Sequence, residues 1–239
     1  LLNELISIIS PLYGGTFIDC TFGSGGYTKK ILQNKDNKVY AFDRDLETVN
    51  EANIVKKKFG KRFEFFNKKF SQISDLEIDN LKGVFFDLGY SLNQIKDHQK
   101  GLSFNHKGKL NMRMGLNDFS CHDLIARASI KNLNQIFKYF AEENMYRQIS
   151  KKIIEHRQHN EITTEELSKI VNYVKKFKKT KINHSTKIFQ GLRIFVNKEI
   201  SELIYGLINS FKLLPIGGVI AVVTFHSLED KIVKFFFRN

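Results

Sequence analysis

Apolar residues in the first ninety positions switch repeatedly between helical and strand spacing. Leu1, Leu2, Leu5, Ile8, Ile9 and Leu12 recur at three- and four-residue intervals, which predicts an amphipathic helix ahead of Gly14-Gly15. Phe17-Ile18 ends a short apolar strand that stops on Asp19 and passes through Cys20-Thr21-Phe22 into Gly23-Ser24-Gly25-Gly26-Tyr27-Thr28, a glycine turn feeding a helical pattern from Lys29. Residues 38–42 predict a second strand ending on Asp43, residues 46–59 a helix closed by Gly60, residues 62–66 a third strand and residues 84–87 a fourth. The unbroken apolar run Val84-Phe85-Phe86 suits a parallel sheet buried on both faces. Strands alternating with helices make an α/β fold, in which ligands bind beyond the carboxyl ends of the strands. Asp19, Asp43, Phe70 and Asp87 all fall at such ends.

From Leu88 to Asp118 the pattern is that of a long loop, with Gly89, Gly101, Gly108 and Gly115 spread through it. Helical spacing returns at 123–128, 133–139, 142–158 and 165–177, the last opened by a capping box of Thr163 and Glu166. Residues 185–214 read as one long helical pattern broken at Gly191 and Gly206, and Pro215 with Gly217-Gly218 stops it. Residues 219–223 are a fifth strand, followed by a turn, Thr224-Phe225-His226-Ser227, that sets His226 on the ligand side and makes Ser227 the N-cap of a final helix. An all-helical stretch between a fourth and a fifth strand is an insertion. The expected division is a sheet domain in two parts, 1–94 and 183–239, with an inserted loop and helical domain at 95–182.

The composition of this 239-residue chain, 42% hydrophobic and 26% charged, is that of a globular protein. No apolar run approaches the roughly 20 residues of a membrane span, and the N-terminus lacks a basic-then-apolar signal pattern, so a cytosolic or organelle-matrix location is expected and no membrane partner. A formal net charge of +13 favours a polyanionic partner, most naturally nucleic acid. The charge gathers at Lys151-Lys152, Arg157, Lys175-Lys176, Lys178-Lys179 and Lys181, the edges of the helical insertion. Cys20 and Cys121 carry no CxxC or Cys/His pattern, so neither a disulfide nor a metal site is predicted.

The glycine turn narrows the chemistry. A dinucleotide fingerprint needs a third glycine where this chain has Thr28. S-adenosylmethionine has no pyrophosphate to cradle, and its ribose hydroxyls would meet Asp43, so it is the favoured cofactor.

Several long segments then converge on one family. Asp19 to Gly26, Asp87-Leu88-Gly89-Tyr90-Ser91 with Gln94, Gly101-Leu102-Ser103-Phe104, Met112-Arg113-Met114, Phe189 to Asn197 and Phe225 to Lys234 together resemble the MraW (RsmH) family. The resemblance covers essentially the whole chain. It implies a class I SAM-dependent methyltransferase, Rossmann-like with a mostly parallel sheet, interrupted by an inserted all-helical substrate-recognition domain. It implies methylation of the N4 amino group of a cytidine in the decoding region of bacterial 16S ribosomal RNA, within an assembled or assembling small subunit in the cytoplasm. A homodimer is left open. Family members extend at both ends, and a chain that opens on Leu1 and stops at Asn239 inside a helical pattern reads as part of a longer one.

Carried over by motif, the cofactor positions are Gly25, Gly26, Tyr27, Asp43, Phe70, Asp87 and Gln94. Three positions depart from the family pattern: Tyr27 stands where histidine is usual, Leu92-Asn93 where Ser-Pro is usual, and Asn111 where aspartate is usual. Asp87 is the leading acceptor for the target amino hydrogens. Asp87-Leu88-Gly89-Tyr90 is similar to the Asp-Pro-Pro-Tyr signature of amino methyltransferases, which makes Tyr90 the base-stacking aromatic, with His226 and Ser227 lining the pocket. Ring methylation at C5 would need a cysteine nucleophile, for which Cys20 and Cys121 are poorly placed. A non-catalytic, cofactor-binding RNA-binding or ribosome-assembly factor is the alternative, and a small-molecule methyltransferase would leave the basic insertion without a purpose.

Overall fold

The computed structural model describes all residues except 10, 92, 93, 96, 118 and 177–182. In chain order the elements are α1 (Leu2–Ile9), β1 (Gly15–Asp19), α2 (Gly26–Ile31), β2 (Asn37–Phe42), α3 (Val49–Phe59), β3 (Phe63–Phe66) and β4 (Leu81–Asp87). There follow α4 (Cys121–Arg127), α5 (Ile130–Tyr139), α6 (Tyr146–His156), α7 (Thr164–Lys175), α8 (Thr186–Asn197), α9 (Glu199–Leu213), β5 (Val219–Val223) and α10 (Ser227–Arg238). The chain forms two compact units, Leu1–Gly89 with Ser201–Asn239, and Tyr90–Ile200.

The first unit is an α/β sandwich. Its sheet has the order β3-β2-β1-β4-β5, and all four pairings are parallel. The order reverses direction beside β1, so a crevice opens between the carboxyl ends of β1 and β4. Period-two alternation sorts the strand residues between two cores. Phe17, Val39, Ala41, Phe63 and Phe85 pack with α1, α2 and α3 through Leu5, Ile9, Ile31, Ala52 and Val55. Ile18, Phe42, Val84 and Phe86 point the other way and meet Leu203 and Leu207 of α9. The apolar run in β4 is therefore buried on both faces, as its composition requires.

The second unit is helical, with its own core of Leu133, Phe137, Ile149, Ile153, Leu167, Val171, Ile188 and Leu192 among others. Residues 183–200, assigned from sequence to the returning sheet domain, group with this unit because Ile188, Phe189, Leu192 and Val196 lie in its core.

The long pattern at 185–214 is two helices, and the glycines are not the breaks. Lys198 separates them with φ 53°, a left-handed conformation that ends α8. Both glycines are instead close approaches. A Cβ on Gly191 would lie 2.7 Å from Ala141, and one on Gly206 would lie 2.7 Å from the Phe70 ring. Small size, not helix breaking, explains them.

Candidate active site

Register places three acidic residues at the carboxyl edge of the sheet. Asp19 of β1 is level with Ala41 in β2 and with Phe85 in β4. Two residues further on, Thr21, Asp43 and Asp87 stand side by side. Thr21 links them: its hydroxyl accepts from the Asp87 amide at 2.8 Å, and its own amide donates to Asp19 Oδ1 at 3.1 Å. Asp43 fixes the glycine turn, accepting from the Gly23 amide at 2.8 Å through Oδ2 and from the Asp45 amide at 2.8 Å through Oδ1. Thr28, where a third glycine would stand in a dinucleotide site, donates its hydroxyl to Asp19 Oδ2 at 2.6 Å.

Burial dominates the electrostatics. Asp19 is fully enclosed, and desolvation pushes its carboxyl up to about 7 despite the Thr28 and Thr21 hydrogen bonds that favour the charged form. Asp43 and Asp87 are raised for the same first reason, desolvation. The Tyr27 phenol lies near the Asp87 carboxylate, and burial followed by the Asp87 charge pushes it up to about 12. Tyr27 therefore remains a neutral donor. Asp87 Oδ1 is buried and has no hydrogen-bond partner among the described residues, which leaves a buried acceptor free to take a ligand's donor.

The turn leaves room beside these groups. Gly25 has φ 72° and caps α2, and a side chain there would strike the Phe22 ring at 2.8 Å. A Cβ on Gly26 would meet nothing within 4 Å. Phe70 begins a short 3₁₀ turn and rests edge-on against Phe86, 5.3 Å between centroids. An orphaned acceptor, an open glycine and an aromatic wall, all in one unit, suit a cofactor with amino, hydroxyl and adenine groups.

The turn after β5 differs from expectation. His226, not Ser227, is the N-cap of α10: its Nδ1 accepts from the Glu229 amide at 3.3 Å, and its Nε2 lies 3.0 Å from Glu229 Oε1. The Glu229 carboxylate accepts from the Phe225 amide at 2.9 Å. A ring nitrogen three residues before the amide it serves does here what a serine oxygen usually does.

In the second unit, Gln94 exchanges hydrogen bonds with Ser91, its Oε1 accepting from the Ser91 amide at 3.0 Å. The neighbouring Leu92 and Asn93 lie outside the described residues. Asn111, the aspartate position of the family pattern, accepts from Arg113 Nε at 2.9 Å. Tyr90 is 45% exposed and has the Arg193 guanidinium over its ring. The basic cluster divides. Lys175 is buried against Glu143 at 2.6 Å, and Arg157 donates to the Ile125 and Ala128 carbonyls at 2.8 Å, so both are structural. Lys151 and Lys176 are exposed, and Lys152 and Lys176 flank the exposed Tyr173 ring at 5.6 and 5.4 Å. Lys178, Lys179 and Lys181 lie outside the described residues.

Residues 1–239 match the MraW methylase family along their whole length. The chain belongs to the MraW methylase family. It is 38% identical over 241 residues to ribosomal RNA small subunit methyltransferase H of Rickettsia africae, an alignment that takes in all of this chain and 78% of the relative. The protein of the same name from Rickettsia bellii is 39% identical, with 79% of it covered.

Membership makes S-adenosylmethionine the methyl donor and the α/β unit a methyltransferase fold. Within this MraW chain the structure brings Gly25, Gly26, Tyr27, Asp43, Phe70 and Asp87 into one unit and puts Tyr90 and Gln94 in the other. Sequence reasoning missed Thr21 and Thr28 as the hydroxyls that organise the carboxylates, although a threonine one residue past a strand-end Asp-Cys pair is a readable signal. It also missed Arg193 and Glu199, whose pairing depends on the turn at Lys198.

Proposed function

We propose that this protein transfers the methyl group of S-adenosylmethionine to the N4 amino group of an unpaired cytidine in small-subunit ribosomal RNA, acting on the assembled or assembling subunit. The observation that carries the reading is the carboxylate group at the β1, β2 and β4 ends, in which Asp87 keeps a buried oxygen with no partner among the described residues. The names of the relatives supply the class of RNA.

The cofactor supplies an electrophilic methyl on a sulfonium. Asp43 receives the ribose hydroxyls while its hydrogen bonds to the backbone keep the glycine turn in shape. Gly25, Gly26 and Tyr27 would hold the methionine end and Phe70 the adenine; Gln94 would join the set by its motif. The nucleophile is weak because the cytosine amino lone pair is delocalised into the ring. Asp87 accepts an amino hydrogen and so favours a pyramidal, more nucleophilic nitrogen as charge develops. Tyr27 stands where the family has histidine and places a neutral phenol near this carboxylate. Tyr90 stacks on the target base, which must be unpaired or flipped to reach the methyl group. His226 holds the turn after β5 as a cap and forms part of the pocket wall. In-line displacement needs placement above all, and these residues provide it.

Exchange of Asp87 for asparagine tests the central role. Methyl transfer to RNA is expected to fall by about 100-fold or more, as for loss of one positioned electrostatic group, with the RNA dissociation constant nearly unchanged. Full activity in Asp87→Asn would remove Asp87 from the chemistry.

A further inference from the structure

Arg193 lies on the buried face of α8 and is held in a two-pronged pair, Nε donating to Glu199 Oε1 at 2.9 Å and Nη2 to Glu199 Oε2 at 2.8 Å. Residues six apart do not meet along a continuous helix. They meet here because Lys198 takes a left-handed conformation that turns the chain between α8 and α9. A planar guanidinium gripped at two donors has a fixed orientation. Its Cζ stands 4.5 Å from the centroid of the Tyr90 ring, within cation–π range. Tyr90 nevertheless remains 45% exposed as a residue, so the side chain is accessible to a second planar group. The Asn197 side-chain amide donates to the Arg193 carbonyl at 2.8 Å, and to the Met112 carbonyl at 2.8 Å, which ties the last turn of α8 to the loop beneath.

We propose that Arg193, clamped by Glu199, is a positioning residue for the RNA base: it holds the Tyr90 ring in a fixed plane so that the target cytosine stacks against a preorganised surface. This rests on the reading of Tyr90 as the stacking aromatic. An aromatic that is already immobilised loses little freedom when a base arrives. The chemistry recognised is a planar, unpaired nucleobase, and neither Arg193 nor Glu199 is assigned any role toward the methyl donor.

The chain contains no tryptophan, so Tyr90→Trp provides a single fluorophore at the stacking position. The probe is a short single-stranded cytidine-rich RNA, titrated in the presence of S-adenosylhomocysteine. Quenching is expected in Tyr90→Trp. When Glu199→Gln is added, which keeps the shape of the side chain but loosens the grip on Arg193, the half-saturating RNA concentration is expected to rise about 5- to 10-fold, the scale of one side chain's ordering cost. In steady state Glu199→Gln alone is expected to raise KM for the RNA substrate by a similar factor while KM for S-adenosylmethionine stays within about twofold, whereas general unfolding would lower the apparent kcat and leave both KM values in place. Equal quenching curves with and without Glu199→Gln would overturn the clamp and leave base stacking standing. Absence of quenching in Tyr90→Trp itself, with cofactor affinity intact, would overturn the stacking reading and the clamp with it.

Discussion

Asp43 and Asp19 sit at neighbouring strand ends and serve different purposes. Asp43 accepts one backbone hydrogen bond on each oxygen and keeps lone pairs for a ligand, so Asp43→Ala should weaken S-adenosylmethionine binding by about 10- to 100-fold, the scale of a charge-assisted hydrogen bond. Calorimetry showing unaltered affinity would remove it from the cofactor site, and RNA binding should stay largely intact. Asp19 is sealed, and its carboxyl is pushed up to about 7 from the usual value near 3.9. The native state then binds this proton more tightly than the unfolded chain does. The resulting stability is complete below about pH 4 and is lost as pH rises through about 7. Asp19→Asn should therefore show a smaller drop in Tm between about pH 5 and pH 8 than the parent, leaving the slope that Asp43 and Asp87 contribute in the same direction. The positions of these carboxylates were legible as the residues that stop apolar strands. Their protonation was not, because it depends on desolvation at the sheet edge, where β1 lies between β2 and β4, strands separated from it in sequence.

At the level of elements, strands and helices of the sheet unit follow their hydropathy periods closely, since burial on one or both faces is what creates those periods. Junctions were harder. Gly191 and Gly206 look like helix breaks in one dimension and are close-packed positions in three, while the break falls at Lys198, which no propensity marks. Gly206→Ala should push the Phe70 ring away from Phe86, costing about 1–3 kcal/mol of stability through overpacking and raising the dissociation constant for S-adenosylmethionine. Unchanged cofactor binding would show that Phe70 stands apart from the cofactor. In the helical unit, Lys175 belongs to a buried ion pair with Glu143. Lys175→Met should destabilise that unit by about 3–5 kcal/mol by leaving a buried charge uncompensated, and Glu143→Gln added to it should recover most of that stability in urea denaturation.

For the molecule as a whole, the excess of +13 charges points to a polyanion without identifying the lysines that meet it. Burial separates the structural cations from those that face solvent. Neutralising Lys151 and Lys176 should reduce the slope of log K for RNA against log salt by about 1.4, which is about 0.7 for each phosphate neutralised on a single strand. Lys175, already paired, should not alter that slope in any variant that stays folded. Among the described residues no helix is long and apolar enough to cross a membrane.

The most direct test is transfer of labelled methyl from S-adenosylmethionine to small ribosomal subunits that lack the modification, followed by nucleoside analysis of the digested RNA. Label is expected in N4-methylated cytidine, and Asp87→Asn is expected to slow its appearance by about 100-fold or more. Label in any other nucleoside, or cofactor binding with no transfer to either the subunit or its free RNA, would contradict the proposed reaction.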